Sequence, residues 1–217
     1  LLGGVLMIRR NIMGLLICIA TLGVATLGYA GIPHMSLSSA ATAAAVQVSL
    51  FSLPDGSGKT LDAAKAQADP VSVDATVTLT LRDGNDDPIS AYPGEDIEMA
   101  STLGGFVACA GGAAADASTD AAGLTTFSGS FNAGGFSAAG EMAVVTVDGL
   151  PLVGSNLNIL FNSADLDASG LVDLSDAVTF STAYQGVYDY KVDFFFDGSL
   201  SLSDIVLFAG GYSAVCP

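Results

Sequence analysis

The chain has no tryptophan, one histidine and only six basic residues among 217. Each scarcity excludes something. Six Lys and Arg against 22 Asp and Glu give a formal net charge of −16. Nucleic acid is therefore not an expected partner, because phosphate contacts need clustered cations. The one histidine, His34, sits in a small-residue stretch near the N-terminus. That leaves no Ser-His-Asp, Cys-His or His-bearing zinc arrangement for a folded domain. Without Trp there is no indole platform for a sugar ring. Glu95, Glu98 and Glu141 are the only glutamates to pair for glycoside cleavage. The chain is expected not to be an enzyme.

What is present points to β structure. Half of the residues, 51%, are hydrophobic, and the 26 glycines supply turns between runs rich in Val and Thr. Arg9 and Arg10 precede an uncharged run from Ile12 to Ala30 that closes on Gly28-Tyr29-Ala30. That is the pattern of a signal peptide over residues 1–30, with Met7 a candidate start and a secreted or cell-surface destination. An uncleaved anchor is the alternative, since the run approaches the ~20 residues that span a bilayer. Beyond residue 30 two cysteines remain, Cys109 and Cys216. An even pair in an exported chain is a candidate disulfide. It would tie the middle of the first domain to the C-terminus, which requires the two modules to pack together.

Residues 31–44 are small and polar and read as a linker. From 45 to 162 the pattern is that of short strands. Val46, Val48 and Leu50 alternate with polar neighbours. Val71, Val73, Ala75, Val77, Leu79 and Leu81 do so without interruption, a half-buried strand signal. Further strands are expected over 96–101, 124–131, 142–147 and 157–161, separated by Gly, Asp and Pro turns. The arrangement is that of a β-sandwich. Two segments, Val77-Thr78-Leu79-Thr80-Leu81-Arg82-Asp83-Gly84-Asn85-Asp86-Asp87-Pro88-Ile89 and Thr119-Asp120-Ala121-Ala122-Gly123-Leu124-Thr125-Thr126-Phe127, resemble strand-turn elements of bacterial Ig-like domains of the invasin and intimin sort. Asp55-Gly56-Ser57-Gly58-Lys59-Thr60 ends like a phosphate-binding loop, but Leu53 stands where its first Gly belongs, so it reads as a turn.

The C-terminal residues 163–217 contain a repeat at an offset of 28. Asp165-Leu166-Asp167-Ala168-Ser169-Gly170-Leu171-Val172-Asp173-Leu174-Ser175-Asp176 fits a twelve-residue calcium loop. Side-chain oxygens come from Asp165, Asp167, Ser169, Asp173 and Asp176. Gly170 makes the sharp turn at position 6, and Leu171 offers its carbonyl at position 7. Calcium, a hard cation, takes six to eight oxygens and so needs such a run. The second copy supplies Asp193, Asp197, Ser199, Ser201 and Asp204, but position 3 is Phe195, which has no oxygen to give. The second site is expected to be the weaker. The copies continue through Leu174-Ser175-Asp176 and Leu202-Ser203-Asp204. Val178 and Phe180, like Val206 and Phe208, with Ala177 or Ile205 beside them, suit a short amphipathic helix after each loop. Ser175 or Ser203 is a candidate to begin it.

This duplicated loop-helix pattern resembles the type I dockerin module. In that family the entering helix of an EF-hand is missing and position 12 is Asp, as Asp176 and Asp204 are here. The resemblance implies a small α-helical, calcium-binding module after the Ig-like β-sandwich, in a mainly β chain. It also implies a cohesin-like or other cell-surface partner, as in scaffolds for polysaccharide breakdown. Leu174 and Leu202 are less polar than the hydroxyl pairs of well-known dockerins. That leaves open a module serving only as a calcium-stabilised cap.

Overall fold

The structure, a computed structural model, describes residues 31–66 and 69–217. The segment expected as a signal peptide lies outside them. The described chain is mainly β, with several small sheets and two α-helices.

Strands β1 (Ser39–Thr42), β5 (Val77–Thr80) and β8 (Leu124–Phe127) pair antiparallel with β5 central. β6 (Ile97–Ser101), β10 (Ala143–Val147) and β11 (Leu150–Pro151) form a second sheet. The third runs in the order β12 (Ile159–Ser163), β2 (Val48–Ser52), β3 (Ala64–Ala66), β4 (Asp69–Val73), with β12 parallel to β2. A two-stranded ribbon joins β7 (Phe106–Ala108) to β9 (Ala133–Gly135). These sheets enclose one apolar core centred on Leu50, Leu79, Ile97, Val145 and Phe161. Phe106 lies on Phe161 with ring centroids 4.1 Å apart.

The uninterrupted alternation over 71–82 does not make one strand. The Asp74 carboxylate accepts the Thr76 N–H, and the Ala75 N–H donates to the Leu61 carbonyl instead of a sheet neighbour. The ladder breaks there, so β4 and β5 serve different sheets. Ala75, Val77, Leu79 and Leu81 are buried as the pattern requires, whereas Val71 is exposed. Residues 31–44 are also more than a linker, because β1 lies within them and pairs Thr42 with Val77. Small polar side chains hid a strand whose stability comes from its partner's hydrogen bonds. The strand expected over 124–131 ends at Phe127. The two quoted turn segments are neighbours: Leu81 donates its N–H to the Gly123 carbonyl beside the β5–β8 pairing.

β2 is buried on both faces. Val48 and Leu50 enter the core just described. Phe51 and Leu53 enter a second core, with Leu166, Phe180, Phe194 and Phe208. One strand thus contributes to both cores, and its serines, Ser49 and Ser52, are buried along with its apolar residues.

Candidate metal centre

The second core is built by the repeat itself. Ala164, Leu166, Val172 and Phe180 contribute to it, and so do Val192, Phe194, Leu200 and Phe208, each 28 positions later. Phe180 and Phe208 stack with centroids 4.6 Å apart and planes at 11°. They come from α1 (Leu174–Tyr184) and α2 (Leu202–Gly211), the helices that follow each loop. Val178 and Val206, expected on the buried face, are exposed instead. Two residues apart on a helix are about 200° apart, so Phe180 inside places Val178 outside.

The helices do not begin with Ser175 or Ser203. Their N-caps are position 9 of each loop. The Asp173 carboxylate accepts the Ser175 N–H at 2.7 Å, and the Ser201 hydroxyl accepts the Ser203 N–H at 3.2 Å. Position 12 completes a capping box in both copies. Asp176 accepts the Asp173 N–H at 2.9 Å and Asp204 accepts the Ser201 N–H at 2.8 Å.

The loops share a backbone. Position 4 has positive φ in each, Ala168 at 56° and Phe196 at 57°, and position 6 follows with Gly170 at 82° and Gly198 at 79°. Glycine is the favoured residue there because it has no Cβ to oppose that conformation. Position 1 is held alike. Asp165 accepts the Gly170 N–H at 2.8 Å and Asp193 accepts the Gly198 N–H at 3.0 Å.

Asp165, Asp176, Asp193 and Asp204 are all fully buried. The ion pairs Arg82–Asp86 and Lys191–Asp189 involve none of the four. Burial pushes Asp165 up to about 6, against the N–H donors of Gly170 and Ser169, and the nearby Asp176 charge adds to the rise. Burial also raises Asp193, opposed by the Tyr188 hydroxyl. Each of these carboxylates accepts N–H donors of its own loop and, among the described residues, has no cationic side chain beside it, which is costly for a buried charge unless a cation joins it.

The two loops part company in what they gather. Asp165, Asp167 and Asp176 each bring a carboxylate oxygen within 4.8 Å of the others. This is the carboxylate group among the described residues that could hold a metal ion. The Leu171 carbonyl accepts the Ser169 hydroxyl at 3.2 Å, so the two oxygens are neighbours. Asp173 stays at the helix cap. In the second loop Asp193, Asp197 and Asp204 form no such group among the described residues. The Ser199 hydroxyl donates to Asp197 at 2.7 Å, and Ser201 caps α2. Phe195 is half-buried beneath the Lys65 ammonium, 5.1 Å from its ring centroid. The Tyr188 hydroxyl donates to Asp193 at 2.8 Å.

Several residues that position the loops escaped the sequence reading. The Gly135 N–H donates to the Asp165 carbonyl at 2.7 Å. A Cβ on Gly134 would lie 2.1 Å from the Asp165 carboxylate. The Asn162 side chain donates to the Asp193 carbonyl at 2.8 Å. The glycine pair within a strand was the one available signal, since such glycines mark close approach.

Cys109 and Cys216 form a disulfide, with Cα atoms 5.7 Å apart. No family model and no curated protein matches this chain. Among solved structures, the crystal structure of the Lin-41 filamin domain is similar at 14% sequence identity. The match covers 58% of this chain and 95% of that one, with a TM-score of 0.27. So low a TM-score bears on neither fold subtype nor function.

Proposed function

We propose that the protein is an exported, non-catalytic, calcium-binding structural or adhesive protein. In this reading an Ig-like β-sandwich carries a dockerin-like C-terminal module organised by calcium in its first loop. The carrying observation is the cluster of Asp165, Asp167 and Asp176, two of them fully buried, in a loop turned by Gly170. Oxygens bound to one calcium at about 2.3–2.6 Å lie at most ~5 Å apart, and the three carboxylate oxygens lie within 4.8 Å. Ser169 and the Leu171 carbonyl are the further oxygens for the same ion. Asp173 in the first loop, and Asp193, Asp197, Ser199, Ser201 and Asp204 in the second, hold loop and helix in shape. The disulfide accords with an oxidising compartment. Isothermal titration of the oxidised chain with calcium chloride is the test. Binding lost in Asp176→Ala supports the reading, and absence of heat in the parent protein overturns it.

Docking to a cohesin-like partner is the second reading. It is favoured by apolar side chains repeated on the outer helix faces. Leu174 and Leu202 are 69% and 71% exposed, and Val178 and Val206 are 59% and 61% exposed. Exposed apolar residues in register at both copies are the kind of surface that a partner covers. A pull-down with and without calcium, using Leu174→Glu and Leu202→Glu together, decides between a docking face and a passive cap.

A further inference from the structure

We infer that the Cys109–Cys216 disulfide sets the metal affinity of the first loop, so that the site is weakened when the disulfide is reduced. The inference rests on the calcium reading above. Its basis is the path of the C-terminal residues. After α2 the chain turns back along the first loop, and Leu171 bridges Val215 antiparallel. The Cys216 N–H donates to the Gly170 carbonyl at 2.8 Å. The Val172 N–H donates to the Ala214 carbonyl at 2.9 Å, and the Ser213 N–H to the Val172 carbonyl at 3.0 Å. These bonds hold both neighbours of Leu171, the residue whose carbonyl must face the ion. A Cβ on Gly170 would lie 3.0 Å from the Cys216 sulfur, so the disulfide rests directly on the turn at position 6.

The other end of the disulfide is anchored in the β domain. Cys109 follows β7 directly, and its N–H donates to the Asn132 carbonyl at 2.8 Å. That ribbon also supplies Gly134 and Gly135, which meet Asp165 at position 1. The loop is therefore gripped twice by one ribbon, directly at position 1 and through the disulfide at positions 6–8. Cys109 and Cys216 are 107 residues apart in sequence, and without the bond the final residues are held by the hydrogen bonds to Gly170 and Val172 and by the buried Ala214, with no covalent tie to the ribbon.

Reduction by an external dithiol breaks the sulfur–sulfur bond. Each cysteine sulfur takes one electron and one proton, while the dithiol closes into its own disulfide. The terminal strand is then held on Gly170–Val172 by its hydrogen bonds alone, it frays more readily, and the ion must order the turn more often on binding. By linkage the effect is reciprocal: calcium favours the disulfide by the same factor by which the disulfide favours calcium.

Isothermal titration with calcium chloride should show binding at least about tenfold weaker in the Cys109→Ser/Cys216→Ser full chain than in the oxidised parent. Equal affinities overturn the inference while leaving the calcium reading intact. No binding by the oxidised parent removes both. If the double variant does not fold, the parent is equilibrated with dithiothreitol with and without calcium chloride, and free thiols are counted. Calcium should then shift the equilibrium toward the disulfide by a similar factor. An unchanged thiol count sinks the coupling.

Discussion

The first and second loops have the same backbone turns, the same capping box and the same buried acids at positions 1 and 12, yet differ in how those acids are satisfied. The first brings three carboxylates to one point. The second has Phe195 at position 3, under Lys65, and gives its position-1 acid a hydroxyl partner, Tyr188. The second loop thus has the same turn with fewer carboxylates gathered in it. The turn itself also starts a helix and builds the shared core in both copies.

The largest expected effect separates the two copies outright. Calcium at about 1,000 times its dissociation constant stabilises the folded chain by about 4 kcal/mol. For a chain of this size that raises the Tm by roughly 10 °C. Asp165→Ala or Asp176→Ala should remove most of that gain in calorimetry, whereas Asp193→Ala should leave it. Equal losses from both loops would end the distinction.

Gly134→Ala comes next. Its methyl must displace the Asp165 carboxylate, and calcium binding should fall by tenfold or more, read by titration. A normal affinity would mean that the β9 contact does not position the ligand.

The pH dependence is smaller. Asp165 has a folded value of about 6 against an ordinary 3.8, so the metal-free fold binds its proton more tightly than the unfolded chain does. Metal-free stability from this group is full below about pH 4 and is lost as pH rises toward 6. Calcium must displace that proton, so its affinity should decline as pH falls below about 6. A flat affinity between pH 5 and 7 would show that Asp165 does not bind the ion.

Phe195→Asn should have the smallest effect. It restores an oxygen to position 3 and should turn a one-site calcium titration into two sites. The cost is the ring's packing under Lys65. A titration still showing one site would mean that Tyr188 and the loop's own N–H donors already satisfy the acids.

The loop geometry was legible in the sequence. The 28-residue offset, the glycines at position 6 and the acids at position 12 all fell where the loops place them, because local backbone geometry demands those residues there. The oxygen missing at Phe195 was legible for the same reason. The outward face of Val178 and Val206 was misjudged, although helix geometry alone opposes residues 178 and 180. The helix start at position 9 is hidden in the sequence because Asp173 and Ser201 are residue types that suit a metal ligand as well as a cap. β1 could not be seen, since Ser39–Thr42 has little apolar character and depends on β5.

By itself the sequence determined what depends on neighbours along the chain: two turns, two short helices and the acids at positions 1 and 12 of each loop. Tertiary structure decided what depends on distant residues. It split the alternating run over 71–82 between two sheets through the Ala75–Leu61 hydrogen bond. It gave β2 two buried faces and seated the first loop on Gly134 and Gly135. It also brought Cys216 across 107 residues to Cys109. The reason is physical. A turn is stabilised by atoms a few residues apart, whereas a pairing partner or a covering surface exists only once the rest of the chain has folded.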